Sequence, residues 1–434
     1  MNRSIPPKVH SFGQLRLSSP RVISLHNGLR IYIETGSEVD VNRLTIALPG
    51  GIAEEPVAGL ASCTASMLAE GTNHYSGADI AARLEYAGAW TGTSVSTHYT
   101  SITLSSLNEK FGELLPILID IVFHPTFPQE AANGILRKQA AKTDIDRRKV
   151  TFLADEAIRP LVYGAGSPLS RTESSPQILS LTTENLREFH YSRLATSDIH
   201  VFLSGNITDK IESLVTDAFS RIASGTNYRL APLSFAPAAE SPREVHVELP
   251  GSQQSAVKMM IPAPGRLAPD FVPLRAAVTA LGGYFGSRLM LNIREARGLT
   301  YGISAALLGY PEQSFITIST QTACDSVSEV RKLVLEEIER MKDPSSYTED
   351  ELMRLSRFLL SGLAAILDTP FSRMEFFKTR LYADTPDNYF ELQENFARRL
   401  DPTNTDPQEA AQTLASIAEA NFRISRRVTA IAGQ

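Results

Sequence analysis

One order of strand and helix patterns occurs twice in the 434-residue chain. The alternating segment 101–104 is followed by a helical pattern and, after Pro128, by a second one. The alternating segment 315–318, which lies 214 residues further on, is followed by a helical pattern and by another after Pro344. This repeat predicts an internal duplication. It favours an α+β fold of two duplicated halves, each a mainly antiparallel sheet covered by helices, because a doubly wound parallel sheet would need stricter strand–helix alternation.

A segment of different composition separates the two copies. Residues 224–243 contain three prolines and many small residues without a regular hydrophobic period, which is typical of an extended surface connector. We therefore predict an N-terminal half over residues 1–223, a linker over 224–243 and a C-terminal half over 244–434.

The composition excludes several classes of protein. Lys and Arg number 42 against 48 Asp and Glu, and the net charge is −6, so we expect no nucleic-acid partner. Cys63 and Cys324 form no CxxC pair, which argues against a disulfide framework and against a cysteine-bound zinc. We expect no membrane partner, because no stretch approaches about 18 apolar residues. We expect a cytoplasmic location, because the first residues lack the apolar core of a secretory signal; the alternative is export followed by removal of a signal.

The usual motifs of metal and cofactor sites are missing from the sequence. None of the eight histidines lies three or four residues from another, so no pair shares a helical face towards a metal. Gly282, Gly283 and Gly286 do not fit a phosphate-binding pattern, and we interpret them as a tight turn that closely approaches a neighbouring element. We expect the only tryptophan, Trp90, in the core and His74 in a solvated loop.

The segment 59–72 resembles a known metal-binding helix. It reads Gly-Leu-Ala-Ser-Cys-Thr-Ala-Ser-Met-Leu-Ala-Glu-Gly-Thr, and the zinc helix of the pitrilysin (insulinase) family of metallopeptidases has the pattern G-L-A-H-F-x-E-H-M-x-F-x-G-T. Weaker matches follow in the family's order at residues 161–164, 186–190, 203–208 and 286–289. The resemblance implies the fold of that family, in which two homologous halves form one arm of a clamshell around an unfolded peptide.

The residues that carry the chemistry of that family are replaced in this chain. Its zinc-binding HxxEH would fall on Ser62, Ala65 and Ser66. Its third ligand, a glutamate, would fall on Lys142 by ungapped counting, although a small shift would bring an aspartate there. Hydroxyl groups are poor substitutes for imidazole ligands, alanine offers no general base, and an ammonium group repels the metal. We therefore expect no zinc and no other cofactor in this chain.

Arg294 and Tyr301 match a second element of the family, R-x₆-Y. The resemblance implies that this pair reaches the active site of a zinc-bearing half and contacts a backbone carbonyl of the substrate. A guanidinium and a phenol are donors suited to a carbonyl oxygen that becomes negative in the transition state. The alternative is that Arg294 forms a surface ion pair and that Tyr301 is a half-buried aromatic residue of a strand.

The replaced zinc ligands and the retained pair together predict a non-catalytic, substrate-binding subunit. In some members of the family the two arms are separate chains, and this chain is similar to the subunit without zinc ligands, such as the α subunit of the mitochondrial processing peptidase. We expect a heterodimer with a homologous HxxEH-bearing subunit, which carries the zinc, and an unfolded peptide substrate. The alternative is an inactive structural or peptide-binding protein of the same fold, paired with itself as a homodimer. A new activity that uses unrelated residues is a third reading, which no residue in the sequence supports.

Overall fold

The structure is a computed structural model that describes residues 13–194, 198–223, 225–226, 228–238 and 240–433. Its strands are β1 (Arg21–Ser24), β2 (Arg30–Thr35), β3 (Val41–Pro49), β4 (Trp90–Val95), β5 (Tyr99–Leu107), β6 (His200–Gly205), β7 (Arg243–Glu248), β8 (Gln254–Pro264), β9 (Thr300–Gly309), β10 (Gln313–Ala323) and β11 (Val428–Gly433).

The helices of the first half follow and flank its strands. They are α1 (Leu60–Met67), α2 (Gly77–Tyr86), α3 (Asn108–Phe123), α4 (Gln129–Asp146), α5 (Val150–Tyr163), α6 (Ser175–Leu179), α7 (Thr183–Leu194) and α8 (Asp209–Ser220). Those of the second half are α9 (Phe271–Val278), α10 (Val327–Arg340), α11 (Glu349–Leu367), α12 (Pro370–Tyr382), α13 (Tyr389–Arg399) and α14 (Pro407–Asn421), with π-helical turns at Thr279–Gly283 and Met290–Glu295.

The two sheets repeat one topology. The first has the strand order β1-β2-β6-β3-β5-β4 and the second has the order β7-β11-β8-β10-β9. Each sheet contains one parallel pair, which is β2 with β6 in the first sheet and β7 with β11 in the second. All other pairs are antiparallel. The strand β10 begins 214 residues after β5, at the predicted spacing. The predicted α+β fold of two duplicated, mainly antiparallel halves is therefore confirmed.

The halves pack against each other by exchanging a helix. The helix α5 of the first half lies on the second sheet, where Ile158 is fully buried in one apolar cluster with Met260 and Ala430. In the equivalent arrangement, α12 of the second half lies on the first sheet, where the rings of Phe377 and Tyr32 are 5.0 Å apart. Each sheet is thus covered on the face that its own helices leave free, and the two halves share their apolar surfaces.

Local sequence explains where the predicted helices begin and end, as α2 illustrates. The hydroxyl of Ser76 accepts a hydrogen bond from the backbone N–H of Asp79 at 3.1 Å, and the carboxylate of Asp79 accepts one from the N–H of Ser76 at 3.3 Å. This capping box satisfies backbone donors that have no partner within the helix. Gly88 follows the helix with φ of +60°, a left-handed conformation that glycine adopts without steric cost.

The prediction that Trp90 lies in the core is wrong. Its side chain is 58% exposed on β4, which is the edge strand of the first sheet. The indole lies over Gly92, so closely that a Cβ atom at that glycine would be 2.4 Å from the ring. An aromatic ring that covers a glycine of an edge strand shields backbone that would otherwise be open to solvent. His74 is largely exposed, as predicted, and its Nδ1 lies 2.9 Å from the carboxylate of Asp120.

Residues 228–238, within the predicted linker, contain no helix or strand, and Leu233 and Phe235 pack against the cluster around α5. Within the part of the chain that the structure describes, no helix combines the length and the apolar character that a membrane crossing requires.

Candidate functional site

The helix α1, at the position of the family's zinc helix, is capped by a side chain from the turn that precedes it. Gly59 precedes it with φ of +89° and offers no side-chain cap. The carboxylate of Glu55 accepts hydrogen bonds from the N–H groups of Gly59 at 3.2 Å and Ala61 at 2.8 Å. Glu55 is only 5% exposed. Burial raises its pKa to about 7 in spite of these two hydrogen bonds, and the nearby carboxylate of Glu173 acts in the same direction.

The three replaced positions on α1 present no donor that suits zinc. Ser66 is exposed, and its hydroxyl donates to the backbone carbonyl of Ser62 at 2.9 Å, a common way for a serine to satisfy itself within a helix. Ala65 is buried and belongs to the apolar interior. Among the described residues, no three or more His, Cys, Asp or Glu side chains are grouped so as to hold a metal ion. The residues present therefore do not fit a catalytic zinc.

The helix α4 does not supply the missing ligand. Lys142 is exposed on it and lines a cavity of about 210 Å³ near the start of α1, together with Glu55 and Asp146. The carboxylate of Asp146 is paired with the ammonium of Lys149 at 2.7 Å, which lowers the pKa of Asp146. The carboxylate of Asp144 accepts a hydrogen bond from the hydroxyl of Ser175. Both aspartates that a shift of the alignment would offer thus have other partners.

The structure brings Arg294 and Tyr301 together. Arg294 lies in the π-helical turn before Gly298, which has φ of +65°, and Tyr301 is the second residue of β9. The Nε of Arg294 donates to the backbone carbonyl of Tyr301 at 3.1 Å, and its guanidinium lies 4.7 Å from the ring centre of Phe285. Arg294 also forms the ion pair that the alternative interpretation expected, with the carboxylate of Glu295 at 3.5 Å. The side chain of Tyr301 is 94% exposed, so it is not the half-buried strand aromatic of that interpretation.

Phe285 is a member of this cluster that the sequence patterns did not identify. It is 61% exposed and stands in the glycine turn between the two π-helical turns. Gly282 in this turn lies against β9, since a Cβ atom there would be 2.5 Å from the backbone nitrogen of Ala305. A Cβ atom at Gly283 or Gly286 would be 3.0 Å and 2.9 Å from the side chains of Thr279 and Tyr284. The signal in the sequence was the pair of large aromatic residues, Tyr284 and Phe285, between the glycines, because aromatic residues commonly mark contact sites.

Two family profiles match this chain. The profile of the insulinase family (peptidase family M16) covers residues 30–158, and that of the peptidase M16 inactive domain covers residues 180–359. The chain belongs to the M16 family. An uncharacterized zinc protease of Mycobacterium tuberculosis is 25% identical to it over 380 residues, 82% of each chain. A non-peptidase homolog, YmxG, of Helicobacter pylori is 24% identical over 348 residues, 78% of each chain.

A solved structure shares the fold of this M16 member. The peptidase M16 inactive domain from Pseudomonas fluorescens superposes with a TM-score of 0.80 and 21% sequence identity, over 95% of this chain and 98% of that one. The inactive-domain profile, the relative named a non-peptidase homolog and the chemistry at Ser62, Ala65 and Ser66 agree with one another. Together they indicate a non-catalytic member of the M16 family.

The buried carboxyl of Glu55 predicts a specific dependence of stability on pH. The folded chain holds this proton at a pH at which the unfolded chain, with an ordinary pKa of 4.5, has released it. The free energy of unfolding should therefore fall as the pH rises from about 4.5 to about 7, by up to about 3 kcal/mol. The substitution Glu55→Gln should remove this dependence, because glutamine does not titrate. At low pH, where the wild type carries the protonated carboxyl, the variant should be about 1 kcal/mol less stable for the lost acceptor.

Urea unfolding at several pH values tests this prediction. The difference in unfolding free energy between the wild type and Glu55→Gln should shrink or change sign as the pH rises from 5 to 8. Glu85→Gln, at an exposed carboxyl of α2, is the matched control and should leave the pH profile unchanged. A constant difference between the wild type and Glu55→Gln would contradict the assignment of a raised pKa.

Proposed function

We propose that this chain is the non-catalytic, peptide-binding subunit of a two-chain zinc endopeptidase, to which it supplies Arg294 and Tyr301. The partner is a homologous subunit with an intact HxxEH, and it holds the zinc. The substrate is an unfolded peptide. The observation that carries the proposal is the cluster of Phe285, Arg294 and Tyr301, in which both aromatic side chains are largely exposed.

The cluster has the chemistry to bind a peptide backbone. The phenol of Tyr301 makes no hydrogen bond within the described residues, and it is free to donate to a carbonyl oxygen. The guanidinium of Arg294 is fixed on one side by its bond to the Tyr301 carbonyl and by the ring of Phe285. Its Nη1 donates to the carboxylate of Glu295 at 3.5 Å, so the other N–H groups keep a set direction. A donor held in place before the reaction needs no reorganisation when charge develops on the substrate oxygen.

The residues of the N-terminal half also support the proposal that this chain is a non-catalytic subunit. The replacements at Ser62, Ala65, Ser66 and Lys142 remove every group that a water-activating zinc site requires. A chain with this half cannot hydrolyse a peptide bond by the mechanism of its zinc-bearing relatives. Its second half still presents donors for a carbonyl oxygen, and such donors contribute to catalysis only beside a zinc that another chain holds.

Identification of the partner tests the proposal. The chain is tagged at its native locus and isolated at its native level, and co-purifying proteins are quantified by mass spectrometry. A near-stoichiometric homologue with HxxEH is the expected result, and the mixed subunits should hydrolyse an unfolded peptide in a zinc-dependent manner that neither subunit achieves alone. Recovery of the chain only with itself would contradict the proposal and favour the inactive homodimer.

A further inference from the structure

A cavity of about 300 Å³ lies between the loop that leads into α9 and the helix α13. Among the described residues that line it, the charged ones are Arg266 and Arg399, and there is no Asp or Glu. This is unusual in a chain with 48 acidic residues against 42 Lys and Arg. Most of the wall is apolar and includes Leu267, Phe271, Val272, Leu392 and Phe396. A concave apolar site with a few polar groups is typical of small-molecule binding.

Arg266 is held in place at the wall of this cavity. Its backbone N–H donates to the carbonyl of Tyr310 at 2.7 Å, and its Nη2 donates to the carbonyl of Gly309 at 2.8 Å. Its guanidinium also lies 6.0 Å from the ring centre of Phe271. These contacts fix the position of the guanidinium before any ligand arrives, and a fixed donor loses less conformational entropy on binding.

The charge of Arg266 has no counterion in the folded chain. Among the described residues, no carboxylate forms an ion pair with it, and its Nε is buried without a hydrogen-bond partner. Burial lowers the pKa of Arg266, and the nearby guanidinium of Arg275 acts in the same direction. Arg288, which is also buried, is paired with the carboxylate of Glu351 at 2.6 Å. A buried charge without a partner destabilises the fold, and an anion in the cavity would remove that cost.

The walls of the cavity select the kind of anion. A strongly hydrated dianion such as phosphate would lose its solvation against apolar side chains and would find one buried guanidinium to offset two charges. Arg399 stands at the rim, 62% exposed, and lies 3.8 Å from the carboxylate of Glu409. A second cavity of about 150 Å³ shares Val272 and Phe396 with the first and extends the apolar wall. The site therefore suits a single carboxylate that carries an apolar group.

We infer that the cavity beside Arg266 binds a small organic carboxylate with an apolar body, and that the guanidinium of Arg266 is its counterion. A carboxylate can accept two parallel hydrogen bonds from a guanidinium, which a neutral ligand of the same shape cannot match. This inference goes beyond the proposed function, because neither a zinc-bearing partner nor the cluster around Tyr301 takes part in it. A free apolar carboxylic acid and the C-terminal carboxylate of a peptide present the same chemistry to the site.

Isothermal titration calorimetry of the full chain tests the inference with three probes. They are N-acetyl-L-phenylalanine, its neutral C-terminal amide and inorganic phosphate. The carboxylate should bind at least tenfold more tightly than the amide, because only the carboxylate supplies the missing counterion. It should also bind at least tenfold more tightly than phosphate, which has no apolar group to bury. Absence of binding by the carboxylate, or equal or tighter binding of the amide or of phosphate, would overturn the inference.

Two variants test whether Arg266 is the counterion. Arg266→Gln should weaken the binding of N-acetyl-L-phenylalanine at least tenfold. Leu267→Asp should do the same with the arginine in place, because Leu267 is 49% exposed on the cavity wall and an aspartate there would compete for the guanidinium. Arg423→Gln is the matched control, since Arg423 also donates to a backbone carbonyl, that of Ala420 at 2.9 Å, but does not line the cavity. The control should bind as the wild type does.

Leu267→Asp decides the outcome if Arg266→Gln does not fold, because a substitution at an exposed position leaves the core unchanged. Binding by Leu267→Asp equal to that of the wild type would overturn the inference. Hydrogen exchange locates the site independently. On saturation with N-acetyl-L-phenylalanine, amide exchange should slow in residues 266–273 and in α13 and should not change in β7. Protection confined to other segments would also overturn the inference.

A longer probe separates the two sources of the carboxylate. The probe is an N-acetylated tetrapeptide of three alanines and a C-terminal phenylalanine, compared with its C-terminal amide. If the tetrapeptide acid binds at least as tightly as N-acetyl-L-phenylalanine and its amide does not, the site accepts the C-termini of peptides. If the tetrapeptide is excluded and N-acetyl-L-phenylalanine binds, the site accepts free carboxylic acids. Both results support the inference, and equal binding of the tetrapeptide and its amide would contradict it.

Discussion

Arg294→Ala, and separately Tyr301→Phe, should lower kcat/KM of the assembled two-chain peptidase by about 100-fold, the scale of losing one donor to a developing oxyanion. Neither change should affect folding. The phenol oxygen of Tyr301 has no partner in the described residues, and the hydrogen bond that Arg294 donates to the backbone of Tyr301 is on the surface. A defect in turnover without a defect in stability would separate a binding role from a structural one.

The measurement requires a matched control for each effect. Tyr86→Phe removes a phenol that is also almost fully exposed, at 87%, on the end of α2 and far from β9 in the sequence. Its turnover should equal that of the wild type, and thermal unfolding should be the same for all variants. Unchanged turnover in both Arg294→Ala and Tyr301→Phe would exclude the assigned role, whatever partner the chain has.

Gly282→Ala should lower the free energy of unfolding by about 3 kcal/mol or more. The new Cβ atom would be 2.5 Å from the backbone nitrogen of Ala305 and 2.7 Å from its Cβ, distances that only movement of β9 could relieve. Overpacking of this kind typically costs about 1–3 kcal/mol, and the cost is higher where the obstacle is backbone and not a flexible side chain. The same movement would displace Tyr301, so the variant should also lose binding of extended peptides.

Gly362→Ala makes the same chemical change, but we expect it to raise the free energy of unfolding. Gly362 lies within α11, and no atom is within 4 Å of the position where its Cβ would stand. Alanine is favoured over glycine inside a helix by about 0.5–1 kcal/mol, so this variant should be slightly more stable than the wild type. Chemical denaturation of both variants measures the contrast, and equal stabilities would contradict the close packing of the glycine turn on β9.

Local patterns predicted the elements that carry strong periodic signals. The alternating segment 101–104 lies within β5, and the segment 315–318 lies within β10, at equivalent positions in the two sheets. Such strands are recognised by their alternation of apolar and polar residues, because one face is buried and the other is partly solvated. The four-residue β1 and the exposed edge β7 were not predicted, since their short or charged sequences resemble those of loops.

The sequence likewise predicted only part of the candidate site. The spacing of Arg294, Gly298 and Tyr301 predicted a helix end followed by a strand, and from it the approach of the two residues. The sequence did not identify Phe285 as their neighbour, because its position depends on how the glycine turn packs against β9. For Trp90, composition favoured the core, whereas the register of β4 at the sheet edge put the ring in solvent.

The sequence by itself determined the duplicated fold and the replacement of the family's zinc-binding residues in this chain. Both follow from residue types at fixed spacings, which local periodicity and ligand chemistry translate directly into structure and reactivity. Only the tertiary structure decided that α5 and α12 are exchanged between the halves and that β9 is an open edge. These features depend on contacts between residues far apart in the chain, and only the packing of the folded chain brings such residues together.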